Sequence, residues 1–261
     1  MAAGELAERA HRGLIDWYRL STERTPGARM EASGDELLID PPHPFPFLRT
    51  AVRAGDAGAS GGLVERAAAF FGPEPGFVVY ARASGEDDAV EEAARAAGLT
   101  LFSERYPEMA CERPVEMPAH ARGAELREVA SAQDEAAYWR VCDAAYPSLG
   151  FPAGVFSIYG EGYVSEPPFG GCIAWLDGEP AACALFAVVG GAGLVGWVAT
   201  DPEQRGKGLG EACTAWVTNR IFERGGAFAS LQASPMGESL YARMGYEEIY
   251  SYRLWLRPPA A

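Results

Sequence analysis

The run best equipped for chemistry is Arg205-Gly206-Lys207-Gly208-Leu209-Gly210. It follows an apolar segment ending at Thr200-Asp201-Pro202 and leads into residues with helical periodicity. Alternating glycines let consecutive backbone N–H groups turn toward one point. The start of a helix adds partial positive charge there. Such a loop is an anion cradle. No Gly-Lys-Ser/Thr follows, which excludes a Walker loop. The glycine spacing and the absence of a parallel βαβ unit exclude a dinucleotide fingerprint. Lys207 is the only lysine among 22 basic residues, in a chain with 36 acids and a net charge of −14.

The elements that must carry this loop are legible on both sides. Cys172–Leu176 and Ala181–Val189 read as strands joined by Asp177-Gly178-Glu179-Pro180, and Leu194–Thr200 as a third strand. After the loop, Leu209, Cys213, Trp216, Val217 and Ile221 recur at helical spacing, and Gly225-Gly226 ends that helix. A strand follows at 227–232. Ser234-Pro235 starts a short helix, with Ser as N-cap and Pro in the first turn. The last strand is 246–255. Upstream, 124–129 reads as a strand and Ser131–Tyr146 as a helix capped by Ser131, with Asp134 three residues on. Pro114–Gly123 is aperiodic and serves as a linker. The expected fold is α/β of the α+β type, a mixed, mostly antiparallel central sheet flanked by helices.

Charge and cysteine usage narrow the function classes. Residues 1–120 carry 20 acids and 12 bases, residues 121–261 carry 16 and 10. Neither half has the clustered Lys/Arg that phosphate-dominated nucleic-acid binding needs. Cys111, Cys142, Cys172, Cys183 and Cys213 show no metal spacing, and His11, His43 and His120 are scattered, so no zinc site or disulfide framework is expected. Buried free thiols suit Cys172, Cys183 and Cys213. Ala181–Thr200 is uncharged and long enough to span a bilayer, but its centre is glycine-rich and acids flank it. Two buried strands explain it better. The expectation is a cytoplasmic protein without membrane or nucleic-acid partners.

The loop resembles the pyrophosphate loop of the GNAT superfamily of N-acetyltransferases, Arg/Gln-x-x-Gly-x-Gly/Ala. A second match lies in Ser239-Leu240-Tyr241-Ala242-Arg243-Met244-Gly245-Tyr246, which resembles that family's Leu-Tyr-x-x-x-Gly-Phe segment. Two motifs in order, each between the right elements, are more specific than one. The resemblance covers about 124–256. It implies that acetyl-CoA is the co-substrate, with its pyrophosphate on Arg205, Gly206, Lys207, Gly208, Leu209 and Gly210. It implies that Val198 and Thr200 pair with the pantetheine arm and that the Val198 amide polarises the acetyl carbonyl. Tyr241 would be the general acid to the leaving thiolate. Ser234 stands where many members carry an Asn that touches the cofactor. Arg220 and Arg243 could reach the 3′-phosphate, though surface helix charge suits them better. No metal is implied.

No carboxylate stands on the strand before the loop, so the general base is open among Glu161, Glu166, Asp143 and a water chain. Residues 36–112 repeat the order strand, strand, helix, strand, helix, strand. This resembles a degenerate GNAT-like repeat, but Asp56-Ala57-Gly58-Ala59-Ser60-Gly61-Gly62 lacks the loop's Arg and spacing, so no coenzyme is expected there. The expected domains are 1–118 and 119–261. The expected activity is direct acetyl transfer to a primary amine of a cationic small molecule or peptide, with a homodimer compatible. The rivals are a non-catalytic coenzyme A-binding module and an acyltransferase for a non-amine acceptor.

Overall fold

A computed structural model describes residues 2–55, 62–73, 75–83, 85–119, 121 and 123–259. In chain order the elements are α1 (Ala3–Glu23), β1 (Arg29–Ser33), β2 (Glu36–Asp40), β3 (Thr50–Arg53), α2 (Leu63–Phe71), β4 (Phe77–Arg82), α3 (Asp88–Ala96) and β5 (Thr100–Cys111). Then come β6 (Ala124–Glu128), α4 (Ala132–Ala145), β7 (Phe169–Leu176), β8 (Glu179–Val189), β9 (Ala192–Thr200), α5 (Leu209–Glu223), β10 (Phe228–Gln232), α6 (Glu238–Arg243) and β11 (Glu247–Arg257). The architecture is the expected mixed, mostly antiparallel α/β type.

Two compact units form, Met1–Glu108 with Glu248–Ala261, and Met109–Glu247. A cut at 118/119 does not follow them. The chain crosses between units inside β5, and β11 returns to the first unit by antiparallel pairing with β4, from Tyr252↔Arg82 to Arg257↔Phe77. The 114–123 stretch is not a tether between the units. Val115 is held to Asn219 of α5 at both its N–H and its carbonyl, at 2.9 and 3.0 Å.

In the first unit β1, β2 and β3 are antiparallel, and α2 carries the chain to β4, parallel to β3. The apolar residues Leu6, Ala10, Leu14 and Trp17 give α1 its buried stripe. The exposed edge strand β1 has no apolar alternation, and sequence reading misses it. Pro46 starts a 3₁₀ turn through Leu48, and β3 begins only after it, at Thr50. Residues 56–61, the expected glycine-rich entry to α2, lie outside the described residues; α2 itself is present.

In the second unit β6, β7, β8 and β9 form an antiparallel meander, and α5 crosses to β10, parallel to β9. The order antiparallel pair, helix, parallel strand thus occurs once in each unit. Ser131 caps α4: its Oγ accepts from the Asp134 N–H, and its hydroxyl donates to Asp134 Oδ2 at 2.6 Å. Asp177-Gly178 and Gly190-Gly191 make two-residue turns with positive φ throughout. The short helix starts later than expected, at Glu238, because Ser234 and Pro235 are spent in a turn whose carbonyl accepts from Gly237 and Glu238. All five cysteines are buried free thiols.

The first unit has a charged interior. Arg53 pairs with Asp87, and Arg82 with Glu8 at 2.8 Å. His11 bridges them. Its Nε2–H donates to the Arg53 carbonyl at 2.8 Å, so its Nδ1 accepts from the Tyr252 hydroxyl at 2.7 Å. Burial, helped by the Arg82 charge, lowers His11 to about 4. The unfolded chain takes this proton near the ordinary value of 6.5 and the folded chain does not. Stability present above pH 6.5 is therefore lost as pH falls toward 4, by about 3 kcal/mol. Urea unfolding of wild type and His11→Gln at pH 7 and pH 4 should show the gap between them closing by about that amount at acid pH. A gap independent of pH contradicts the neutral, buried imidazole.

Candidate active site

Strands β9 and β10 pair over three residues only, Ala192–Leu194 against Phe228–Ser230. Beyond Leu194 the registered partner of β9 is β8. The separation opens a cleft of about 460 Å³ within the second unit. The end of β9 forms one side, the turn and helix after β10 the other, and the start of α5 closes the base.

The loop into α5 is built by short local bonds. Asp201 Oδ1 accepts from the Glu203 N–H at 2.8 Å, holding a 3₁₀ turn at Pro202–Gln204. Gly206 and Gly208 have φ of 79° and 76°, which a side chain would strain. Gly208 is the N-cap of α5, and the first helical bond runs from Ala212 N–H to its carbonyl at 3.0 Å. The N–H groups of Leu209 and Gly210, ahead of that first bond, point out of the helix end. A Cβ on Gly210 would stand 2.8 Å from Thr200 Oγ1, so only glycine keeps strand end and helix start this close.

Val198, Thr200, Arg205, Gly206, Gly208, Leu209, Gly210, Ser234 and Tyr241 all border this cleft. Lys207 does not: it is exposed, and its Nζ donates to Gln204 Oε1 at 2.6 Å. Arg205 turns to the end of α4, donating to the Ala145 carbonyl at 3.3 Å and to Ser148 Oγ at 2.8 Å, a favourable place for a cation. Ser234 Oγ accepts from the Gly237 N–H at 3.3 Å. Tyr241 is mostly buried, packs its ring over Gly237, and is raised by burial to about 12. Arg243 borders the cleft, with Nη1 on the Ser239 carbonyl at 2.9 Å. Arg220 instead pairs with Glu223 at 2.6 Å and lies over Trp216.

Beside the cleft, behind Tyr146, lies an aromatic cluster that the sequence analysis did not anticipate. Trp139 of α4 stacks on Phe156 and Tyr159 at 5.5 and 4.7 Å between centroids. Tyr146 meets Phe151, Phe156 and Trp197 edge-on. The loop carrying Tyr159 and Tyr163 is clamped by buried Glu135 of α4, whose carboxylate accepts from the N–H groups of Gly162, Val164 and Ser165 at 2.8, 2.7 and 2.7 Å. Of the carboxylates considered for proton removal, Glu161 is exposed. Glu166 packs against Gly162. Asp143 has one oxygen shielded from solvent with no hydrogen-bond partner. It shares a margin of α4 with Trp139, four residues back, and with cleft-lining Tyr146, three residues on. Among the described residues no group of His, Cys, Asp and Glu is arranged to hold a metal, and no helix is long and apolar enough to cross a membrane.

The family model described as an acetyltransferase (GNAT) domain matches residues 168–248. Among solved structures the chain resembles a GCN5-related N-acetyltransferase from Kribbella flavida, with TM-score 0.73 and 23% identity over 97% of this chain and 96% of that one. It resembles another from Sphaerobacter thermophilus, with TM-score 0.63 and 17% identity over 95% and 86%. A tandem GNAT protein from the clavulanic acid biosynthesis pathway gives TM-score 0.60 and 13% identity over 99% and 96%. No curated protein sequence matches the chain. Residues 168–248 thus match a GNAT acetyltransferase domain model, and nearly the whole length of the chain shares the fold of these solved structures.

The Glu135 clamp is testable apart from any activity. Glu135→Ala leaves three amides without their acceptor and should cost about 2–3 kcal/mol in urea unfolding. Hydrogen exchange at Gly162, Val164 and Ser165 should accelerate in the variant. Unchanged exchange there means that something else holds the loop.

Proposed function

We propose that the protein is an acetyl-CoA-dependent N-acetyltransferase that passes the acetyl group directly to an amine. The observation that carries this reading is the cleft where β9 leaves β10, with the left-handed glycines and the N-terminal end of α5 at its base. The helix end and its amides suit a pyrophosphate, which a chain of net charge −14 would otherwise repel. The free edge of β9 at Val198–Thr200 suits the amide-bearing pantetheine arm, by addition of an extended partner to a strand edge. Neither Lys207 nor Arg205 needs to touch the phosphates, since one donates to Gln204 and the other to Ala145 and Ser148.

In this reading the thioester supplies the activated acyl group. The Val198 N–H faces its carbonyl and stabilises the charge that develops on oxygen. The amine attacks, its nitrogen–carbon bond forms, the carbon–sulfur bond breaks, and the sulfur leaves toward Tyr241. Burial keeps the Tyr241 phenol protonated, so it donates to the departing sulfur at every pH below about 12. Asp143 is our assignment for the group that receives the acceptor. Its shielded oxygen lacks a donor, and an alkylammonium beside an aromatic wall supplies one. That favours a cationic amine as the acceptor class, and gives a carboxylate to which the amine can lose its proton.

Calorimetric titration with acetyl-CoA tests the cradle. Gly208→Glu strains a left-handed position and puts negative charge at the helix start, so affinity should fall roughly tenfold or more with the circular dichroism unchanged. Unchanged affinity means the cradle lies elsewhere. Coenzyme A release across an amine panel separates an enzyme from a binding module, which would bind without turnover. With an accepted amine, Tyr241→Phe should lower kcat by about a hundredfold. Because the phenol stays neutral below about 12, no limb of the pH–rate profile should disappear with it. A full rate in Tyr241→Phe rules out the general-acid role.

A further inference from the structure

One peptide of the cleft is held from behind by α4. Opposite β9, Cys183 faces Ala199 and Leu185 faces Gly196, so Trp197 and Val198 together oppose Ala184. This is a β-bulge, one extra residue on β9. Trp197 carries the strain, with φ of 43°, a region that a bulky side chain occupies only where its surroundings enforce it. They do so twice here. Its ring is packed against Tyr146, Phe151 and Phe156 at 5.5, 6.2 and 5.0 Å between centroids. Its carbonyl accepts a hydrogen bond from the hydroxyl of Tyr138 at 2.8 Å, with Cys142 Sγ also aimed at it from 3.8 Å. Tyr146 repeats the pattern one residue on, its hydroxyl donating to the Val198 carbonyl at 3.4 Å.

The Trp197 carbonyl and the Val198 N–H belong to one planar trans peptide and point in opposite directions. Whatever fixes the carbonyl therefore aims the N–H. Tyr138 is fully buried, and burial pushes its phenol far up, so the hydroxyl remains a donor throughout the neutral range. It is on α4, which packs on β8 and β9 and holds the clamped loop through Glu135. A bulged peptide without such a tether would be free to rotate, and its N–H would spend less time on the line needed by the acyl oxygen.

We propose that Tyr138 is a positioning residue for acyl transfer: through the Trp197 carbonyl it orients the Val198 N–H toward the thioester carbonyl. The proposal rests on the acetyl-CoA reading above, and its test is chosen to fail separately from that reading. The probe is acetyl-CoA labelled with ¹³C at the acetyl carbonyl, observed by isotope-edited infrared spectroscopy when bound. In the unmodified protein the carbonyl band should move to lower frequency than in water, because the N–H polarises it. In Tyr138→Phe the band should return toward its solution position while acetyl-CoA affinity stays within about twofold, and kcat with an accepted amine should fall by roughly 10–100-fold. A purely structural tyrosine would lower stability and leave the band where it was. If the variant does not fold, the unmodified protein labelled with ¹⁵N at valine still decides. The Val198 N–H signal should shift more with acetyl-CoA than with coenzyme A.

Each result is decisive. An unshifted band in the wild type, an identical band in the variant, or equal Val198 shifts with both ligands overturns the role of Tyr138 while the coenzyme site stands. Absence of any acetyl-CoA binding overturns the coenzyme reading itself, and this inference with it.

Discussion

The site depends on β9 being paired differently along its length. At its start β9 is parallel to β10, and at its end it pairs with β8 alone. The paired end is pinned by close packing that only glycine permits. A Cβ on Gly193 would meet Ile221 Cγ2 at 2.1 Å, and one on Gly226 would meet the same atom at 2.5 Å, so Ile221 of α5 docks between two bare backbones. The other end of α5 lies where the strands have parted. One helix thus fixes the closed end of the strand pair and presents its N–H groups at the open end. An open strand edge is a liability when unsatisfied, and here it faces a cleft that an extended, amide-bearing ligand can fill.

A second layer of constraint comes from α4. Tyr138 and Tyr146 hold successive β9 carbonyls, Glu135 holds three amides of the loop beyond, and the α4 C-terminus receives Arg205 from the glycine loop. The helix therefore ties together the bulge, the aromatic wall and the cradle. The charge arrangement follows from this. In an acidic chain the cations nearest the cradle are occupied with protein groups, Lys207 with Gln204 and Arg205 with Ala145 and Ser148. In the proposed function, attraction for an anion falls to oriented backbone dipoles, whose effect is local and is not reflected in net charge.

Much of this was legible in the residues. The glycine loop, the helix after it and the Ser131 cap are written in local residue types, and the turn read over Asp177–Pro180 forms in its first two residues. What escaped is what depends on distant partners. The bulge at Trp197 is a matter of register against Ala184, and no local signal marks a tryptophan for a left-handed conformation. The place of β11 beside β4 is a pairing across 170 positions, from Tyr252 to Arg82, so a division by linear order misassigns it. His11 looked like one of three scattered histidines. Its partners are Tyr252 and the Arg53 carbonyl, and only the folded unit brings them together. Strand β1 has no alternation because it is exposed throughout.

In the proposed function, main-chain N–H groups at the strand–helix junction receive the coenzyme. The most direct measurement is a ¹H–¹⁵N titration of the protein with coenzyme A. The amides of Gly206, Gly208, Leu209 and Gly210 should shift together and saturate with one affinity. Saturable binding that leaves those four signals in place and moves amides elsewhere would contradict it.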